Sequence, residues 1–236
     1  MPKAPKSFLS KIVQSAIIPF ILCAIMIGIK LLEESLDTSW YYYGLYPRRI
    51  GSLQGILFSP FLHGDYNHLF NNVTGFFSLA FMLYFFYPNN GNKIMLWSMI
   101  ITGMMGWIGS RTSYHIGASG WLYALASYLV FNGLFTKDKK TSVITLIVCL
   151  FYGSLIWGIF PLPDKLRISW ENHLFGALTG VLLAYQFPSI ITKVKVKYSW
   201  EKEAEVLASI DGIEVDFEEI KPRENDKITY HFKQNP

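Results

Sequence analysis

The stretch 116-IGASGWLY-123 sets a serine between glycines at the threshold of a long apolar segment. A bare hydroxyl in that position has two readings. Ser119 can be the N-cap of a helix that begins beside it, accepting from the free amides of the first turn. It can also be a nucleophile, with Gly117 and Gly120 leaving room for another backbone to come near. The choice depends on what else arrives at the same place.

The chain has 236 residues, 51% of hydrophobic type and only 16% charged, against roughly a quarter charged in soluble domains. Six blocks are nearly free of charge: Ile12 to Leu32, His68 to Tyr87, Ile94 to Gly109, Ser119 to Phe135, Val143 to Phe160 and His173 to Ile191. Each is close to the ~20 residues that cross a bilayer as a helix. The expected fold is all-α: a six-transmembrane-helix bundle over residues 1–191, a polytopic protein whose solvent on most sides is the lipid bilayer. The first block is too long for a removable signal segment, and no small-residue cleavage pattern follows it. Cys23 and Cys149 lie in different apolar blocks without a CxxC partner and read as reduced packing residues.

The placement of charge says more than the net value of +4. With the N-terminus inside, eleven lysines fall on inner flanks (Lys3, Lys6, Lys11, Lys93, Lys137, Lys139, Lys140, Lys193, Lys195, Lys197, Lys202). Five cations fall on outer loops (Arg48, Arg49, Arg111, Lys165, Arg167). That asymmetry places both termini in the cytoplasm. The lack of an Arg-rich leader points to a plasma membrane, expected to be a bacterial inner membrane. No basic patch interleaved with aromatics suggests nucleic acid.

Two segments lie outside the blocks. Residues 33–67 form a long first outer loop rich in aromatics, and Pro47, Gly51, Gly55 and Pro60 rule out one continuous helix there. Tyr and Trp favour the membrane boundary, so this loop is expected to pack partly within the outer leaflet. Residues 192–236 form an acidic cytoplasmic tail, with a short helix at Glu201 to Ile210 and a β-hairpin built on Ile213, Val215 and Phe217 against Ile228 to Phe232. The tail could serve regulation or self-association, or be a solvated appendage.

The decisive step is parity. If the N-terminus is inside, the second, fourth and sixth blocks all start at the outer face, so His68 with Asn72, Ser119, and His173 sit at similar depth. Taken singly, each has a plain structural reading: an interfacial histidine, an asparagine bonding neighbouring helices, a helix cap. Together they bring a serine, two histidines and an asparagine to one leaflet, where polar groups turn inward and towards one another. His173, Gly176, Ala177, Gly180 and Ala184 recur at helical spacing and form a small-residue face. Close helix approach along such a face would carry the imidazole to the hydroxyl.

A serine needs an adjacent base, and imidazole titrates near working pH, so His173 suits proton abstraction and return. Glu171, two positions away, would project elsewhere, so a dyad is expected, with Tyr123 holding the ring by stacking. The amide of Ser119 at a helix start, with the side chains of His68 and Asn72, could supply donors to an oxyanion. His63 and His68 are five apart, without an HExxH or Cys cluster, so no metal and no cofactor is expected. His115 and His231 read as solvated.

These residues resemble the rhomboid family of intramembrane serine proteases. PFLHGDYNHLFNN resembles the family's H-x-x-x-x-H-x-x-x-N signature at His63, His68 and Asn72. GASGWLY resembles its nucleophile loop at Gly117, Ser119 and Tyr123, and NHLFGALTG its sixth-span motif at His173, Gly176 and Gly180. The resemblance spans Ile12 to Ile191 and implies that Ser119 is the nucleophile, His173 the base, and His68 and Asn72 oxyanion donors. It further implies cleavage of transmembrane protein substrates near the outer face. Two positions depart from the pattern: Gln54-Gly55 stands where many relatives carry Trp-Arg, and Asn172 where Ala often precedes the histidine. The alternatives are a catalytically silent relative that binds and escorts membrane proteins, and an unrelated small transporter.

Overall fold

Eleven of the 18 residues of helix α5 (Ser119–Thr136) are buried, and the remaining elements arrange themselves around it. The computed structural model describes residues 8–161 and 169–191. The helix and hairpin expected in the tail lie outside the described residues. In chain order the helices are α1 (Phe8–Ser35), α2 (Gly55–Phe58), α3 (Tyr66–Phe86), α4 (Gly91–Gly109), α5, α6 (Lys139–Tyr152) and α7 (Trp170–Gln186). Short 3₁₀ turns fill much of the loop between α1 and α3, and a longer one, Gly153–Ile159, continues α6. No strand forms among the described residues; Leu45 and His115 make an isolated antiparallel bridge.

Among the described residues, three helical stretches are long and apolar enough to cross a membrane: Phe8–Ser35, Tyr66–Phe86 and Lys139–Ile159. A third or less of each is buried within the protein, so their apolar surface faces outward, where lipid replaces a protein core. The helices at the centre obey a different rule. Because α5 is enclosed by α7, α6, α3 and α4, its side chains need only fit protein neighbours, and it can carry Ser119, Gly120, Ser127 and Asn132 without facing lipid. The polar residues that thin out the hydropathy of this helix are therefore the ones its burial permits.

The closest approach is between α5 and α7. A Cβ added at Gly176 would strike the carbonyl oxygen of Gly120, and one at Gly180 would meet the Ala124 oxygen and lie 2.6 Å from Ser127 Cβ. Ser127 Oγ donates to the Ala177 carbonyl at 2.7 Å across the same seam. The small-residue face expected in the sixth block is the face that packs. At the other end, Lys137 adopts a left-handed φ of 53° to stop α5, and Asp138 caps α6 by accepting from the amides of Lys140 and Thr141.

The first outer loop breaks into short turns, as its prolines and glycines require, and is pinned to the segment preceding Ser119. Leu45 and His115 exchange backbone hydrogen bonds of 3.0 and 2.8 Å, and the Gly117 amide donates to the Ser59 carbonyl at 2.8 Å. Arg48 donates to the carbonyls of Ile108 and Ser110 at the end of α4 and to Thr112 Oγ1. Helix C-termini leave such carbonyls unpaired and favour a cation. Gly55 lies under the backbone of Gly44 and Leu45, with no space for a side chain, which gives a reason for glycine at that departure from the family pattern.

Two expectations need correcting. The fifth block does not stay α-helical to Phe160; it tightens into a 3₁₀ turn at Gly153. His115 is not solvated: it is 2% exposed, pairs its Nδ1 with Ser169 Oγ at 2.5 Å and donates from Nε2 to the Arg111 carbonyl at 2.9 Å. Burial lowers its pKa below the ordinary histidine value, against a partly offsetting bond to Arg111.

Candidate active site

Three helix starts deliver the polar residues, and each is built locally. Asp65 caps α3 by accepting from the His68 amide at 2.8 Å, which fixes the turn that carries His68 and Asn72. Ala118 is the cap residue of α5 and Ser119 its first helical residue, so Ser119 is not itself the N-cap and its side chain is left for other contacts. His173 lies in the first turn of α7, its amide bonded to the Ser169 carbonyl.

Ser119 Oγ and His173 Nε2 are 2.8 Å apart. On the other side of the ring, Nδ1 lies 3.0 Å from the carbonyl oxygen of Gly158. A carbonyl only accepts, so Nδ1 carries the proton and Nε2 presents its lone pair to the hydroxyl. This is the tautomer that a base receiving the serine proton requires. Tyr123 stacks on the imidazole with centroids 4.3 Å apart and planes 7° from parallel, and its hydroxyl donates to the Leu155 carbonyl at 2.7 Å. His173 is 7% exposed. Glu171 projects away, as its spacing indicated, with Oε1 3.6 Å from Arg111 Nε.

Gly117 has a φ of 105°, a conformation that glycine adopts without strain. A Cβ there would lie 2.5 Å from His68 Nε2 and 3.2 Å from Asn72 Nδ2. Two side-chain nitrogens thus converge on the space beside Gly117, two residues before Ser119. Asn72 is buried, and its Nδ2 finds no hydrogen-bond partner among the described residues. A buried, unpaired donor costs about 1–3 kcal/mol, so its retention beside this space is informative. His63 packs against His68, ring centroids 5.0 Å apart. Burial, then the neighbouring His68, pushes the His63 pKa down to about 4, so it stays neutral while wedging the His68 ring.

Above the pair opens a cavity of about 480 Å³, lined by Ser119, His173, His68, Asp65, Arg111, Ser113, Tyr114, His115, Ile116 and Ser169. Its walls mix charged and polar side chains, so water can enter. Asn172, the second departure from the family pattern, neither caps α7 nor touches the imidazole in the described contacts. Its Oδ1 accepts from Ser110 Oγ at 3.0 Å and packs onto α4 at Gly106.

Ser119, His173, His68, Asn72, Gly117, Tyr123 and His63 meet in one place, while Gly176 and Gly180 act from the α5–α7 seam below it. Nothing in the sequence pointed to the carbonyls of Leu155 and Gly158, since a backbone group leaves no residue-type signature. Nor did it reveal the Arg111, Glu171, His115 and Ser169 surroundings.

Fold and site define an α-helical, multi-pass membrane protein with a serine–histidine pair beneath a polar cavity. The Rhomboid domain family matches residues 51–189, more than half of the chain, and the chain belongs to the rhomboid family. An uncharacterized protein of Mycobacterium tuberculosis (strain ATCC 25618 / H37Rv) is 28% identical over 173 residues, covering 69% of this chain and 70% of the relative. An uncharacterized protein of Mycobacterium leprae (strain TN) is 29% identical over 167 residues, covering 66% and 63%.

Proposed function

We propose that this protein is an intramembrane serine endopeptidase that cleaves peptide bonds in or beside transmembrane segments of other proteins. The observation that carries the reading is the 2.8 Å contact between Ser119 Oγ and a His173 whose tautomer is set by a carbonyl on its far side. Family membership supports it, since rhomboid proteins are generally serine intramembrane proteases.

In this reading His173 Nε2 takes the Ser119 proton as Oγ attacks the scissile carbonyl carbon. The carbonyl oxygen, now an oxyanion, lies in the space beside Gly117, where His68 Nε2–H, Asn72 Nδ2–H and the Ser119 amide donate to it. The imidazolium returns its proton to the leaving amine, which departs with the C-terminal fragment. Water from the polar cavity then gives up a proton to the same nitrogen as it attacks the acyl carbon. The bond to Oγ breaks, Ser119 takes that proton back from the imidazolium, and the N-terminal fragment leaves with a new carboxyl end. The dyad lacks a carboxylate, and the ring is held instead by Tyr123 and a backbone carbonyl. Six spans, both termini in the cytoplasm, a bacterial plasma membrane and an outward-facing cavity complete the proposal.

An alkyl fluorophosphonate is expected to phosphonylate Ser119 in the purified, detergent-solubilised protein, read as the added mass on the peptide that carries residue 119. No reaction in folded protein, or reaction at another residue, would overturn the reading. A second expectation separates the roles of Asn72. Asn72→Ala should lower kcat by about 10²- to 10³-fold, the usual worth of one oxyanion donor, with thermal stability unchanged. A stability loss with kcat per folded molecule intact would make Asn72 a packing residue.

A further inference from the structure

Resting on the protease reading, we infer that Gly158 is a positioning residue for the catalytic base. Its carbonyl occupies the place that a carboxylate holds in a triad, and the 3₁₀ turn Gly153–Ile159 is the element that orients His173.

Three independent observations converge on that turn. The first is the bond from His173 Nδ1 to the Gly158 carbonyl at 3.0 Å, which fixes the tautomer and the ring's rotation about its long axis. The second is the bond from Tyr123 OH to the Leu155 carbonyl at 2.7 Å. Because Tyr123 lies flat on the imidazole, this bond fixes the plane against which the base rests. One turn of chain therefore holds the ring by its edge and, through Tyr123, by its face. The third is steric. A Cβ at position 158 would collide with the Tyr123 hydroxyl, lie 3.0 Å from Tyr123 Cζ and 3.2 Å from His173 Nδ1. Only glycine lets the backbone come close enough for its carbonyl to reach the ring.

The change from α-helix to 3₁₀ turn supplies the carbonyls. Gly158 lies in the last turn of that segment, where C=O groups are left without intrahelical partners, and Leu155, earlier in it, presents its carbonyl to Tyr123. Apolar packing accounts for the docking of the turn only in part: Leu155 and Ile159 rest against the core, but none of residues 153–159 is fully buried and Trp157 is 62% exposed. Glu171, the nearest acidic residue in sequence, faces Arg111 instead. A neutral carbonyl stabilises the imidazolium less than a carboxylate would, yet it fixes the same proton on Nδ1. The His–carbonyl pairing thus does the orienting half of the triad's work inside the protein without burying a charge.

The test compares full-length wild type with Gly158→Ala, and with Trp157→Ala as an exposed control in the same turn. Rates are read by fluorophosphonate labelling of Ser119 and by cleavage of a transmembrane-segment substrate. Gly158→Ala is expected to lower the labelling rate and kcat by about 10²-fold, the low end of what a positioned base contributes, with KM within about twofold. Trp157→Ala should match wild type. Equal rates in Gly158→Ala, or a change confined to KM, would overturn the inference. A wild type that neither labels nor cleaves would instead sink the protease reading. Should Gly158→Ala fail to fold, nitrogen-15 NMR of histidine-labelled wild type decides, with His173→Ala assigning the signal. A Nδ1-protonated neutral tautomer at His173 is the expected result, and a Nε2-protonated one would overturn the inference.

Discussion

His173→Ala is expected to slow cleavage of a transmembrane-segment substrate by about 10³-fold or more, and Ser119→Ala to bring it to background. In both cases the folded yield should be unchanged. The expectation follows from the pairing itself. The hydroxyl is a poor nucleophile at neutral pH and becomes competent only when its proton has an acceptor 2.8 Å away. Glu171→Gln serves as the companion variant. If the base were oriented by that carboxylate, its loss would cost on the order of 10⁴-fold, as in a Ser-His-Asp triad. Glu171 contacts Arg111 and not His173, so activity per folded molecule should stay close to wild type. Assays of cleavage normalised to folded protein by size-exclusion chromatography check all three variants. Full activity in the serine variant would remove the peptidase assignment, and a triad-sized loss in Glu171→Gln would replace the dyad with a relay.

Gly176→Val should destabilise the protein by ~3 kcal/mol or more, the upper range for overpacking, because the obstacle is backbone rather than a side chain that can turn away. The added Cβ would meet the Gly120 carbonyl within the first turn of α5. Relief requires α5 and α7 to move apart, which also draws the imidazole from the hydroxyl. Stability and activity should therefore fall together, measured as a lower thermal midpoint in detergent and a lower cleavage rate. Leu178→Ala, on the exposed side of the same helix at 47% exposure, should change neither by much. A Gly176→Val protein with wild-type midpoint would mean that the seam is looser than its contacts indicate.

These variants also mark how far the sequence can be read. Helix positions were legible because apolar blocks and their polar interruptions follow from the solvent each helix meets. The meeting of Ser119, His173, His68 and Asn72 followed from counting spans and asking which ends share a leaflet. Tyr123 was legible as a neighbour of the same site because it follows Ser119 by one helical turn. What stayed hidden depended on backbone placement. Residues 153–160 carry no proline and read as more of the same apolar span, yet the chain tightens there and lends two carbonyls to the site. His115 looked like a loop residue facing water because the bridge to Leu45 that buries it joins segments seventy residues apart. Asn172 was visible, but its packing against α4 was not, since that depends on the gap at Gly106.

The Gly117 amide donates to the Ser59 carbonyl and so is not free to meet negative charge beside Ser119. Many hydrolases neutralise the developing negative oxygen with a pair of rigid main-chain N–H groups. Here one such group, next but one to the nucleophile, is already committed to anchoring the outer loop. On the proposed mechanism the Ser119 amide is the main-chain donor that remains, and the rest of the work falls to an imidazole and a carboxamide, which swing on single bonds and must be wedged in place by their neighbours. On that proposal, polarising power is largely a property of side-chain packing, and His63, whose ring packs against that of His68, is foremost among the residues that would support it without touching a substrate.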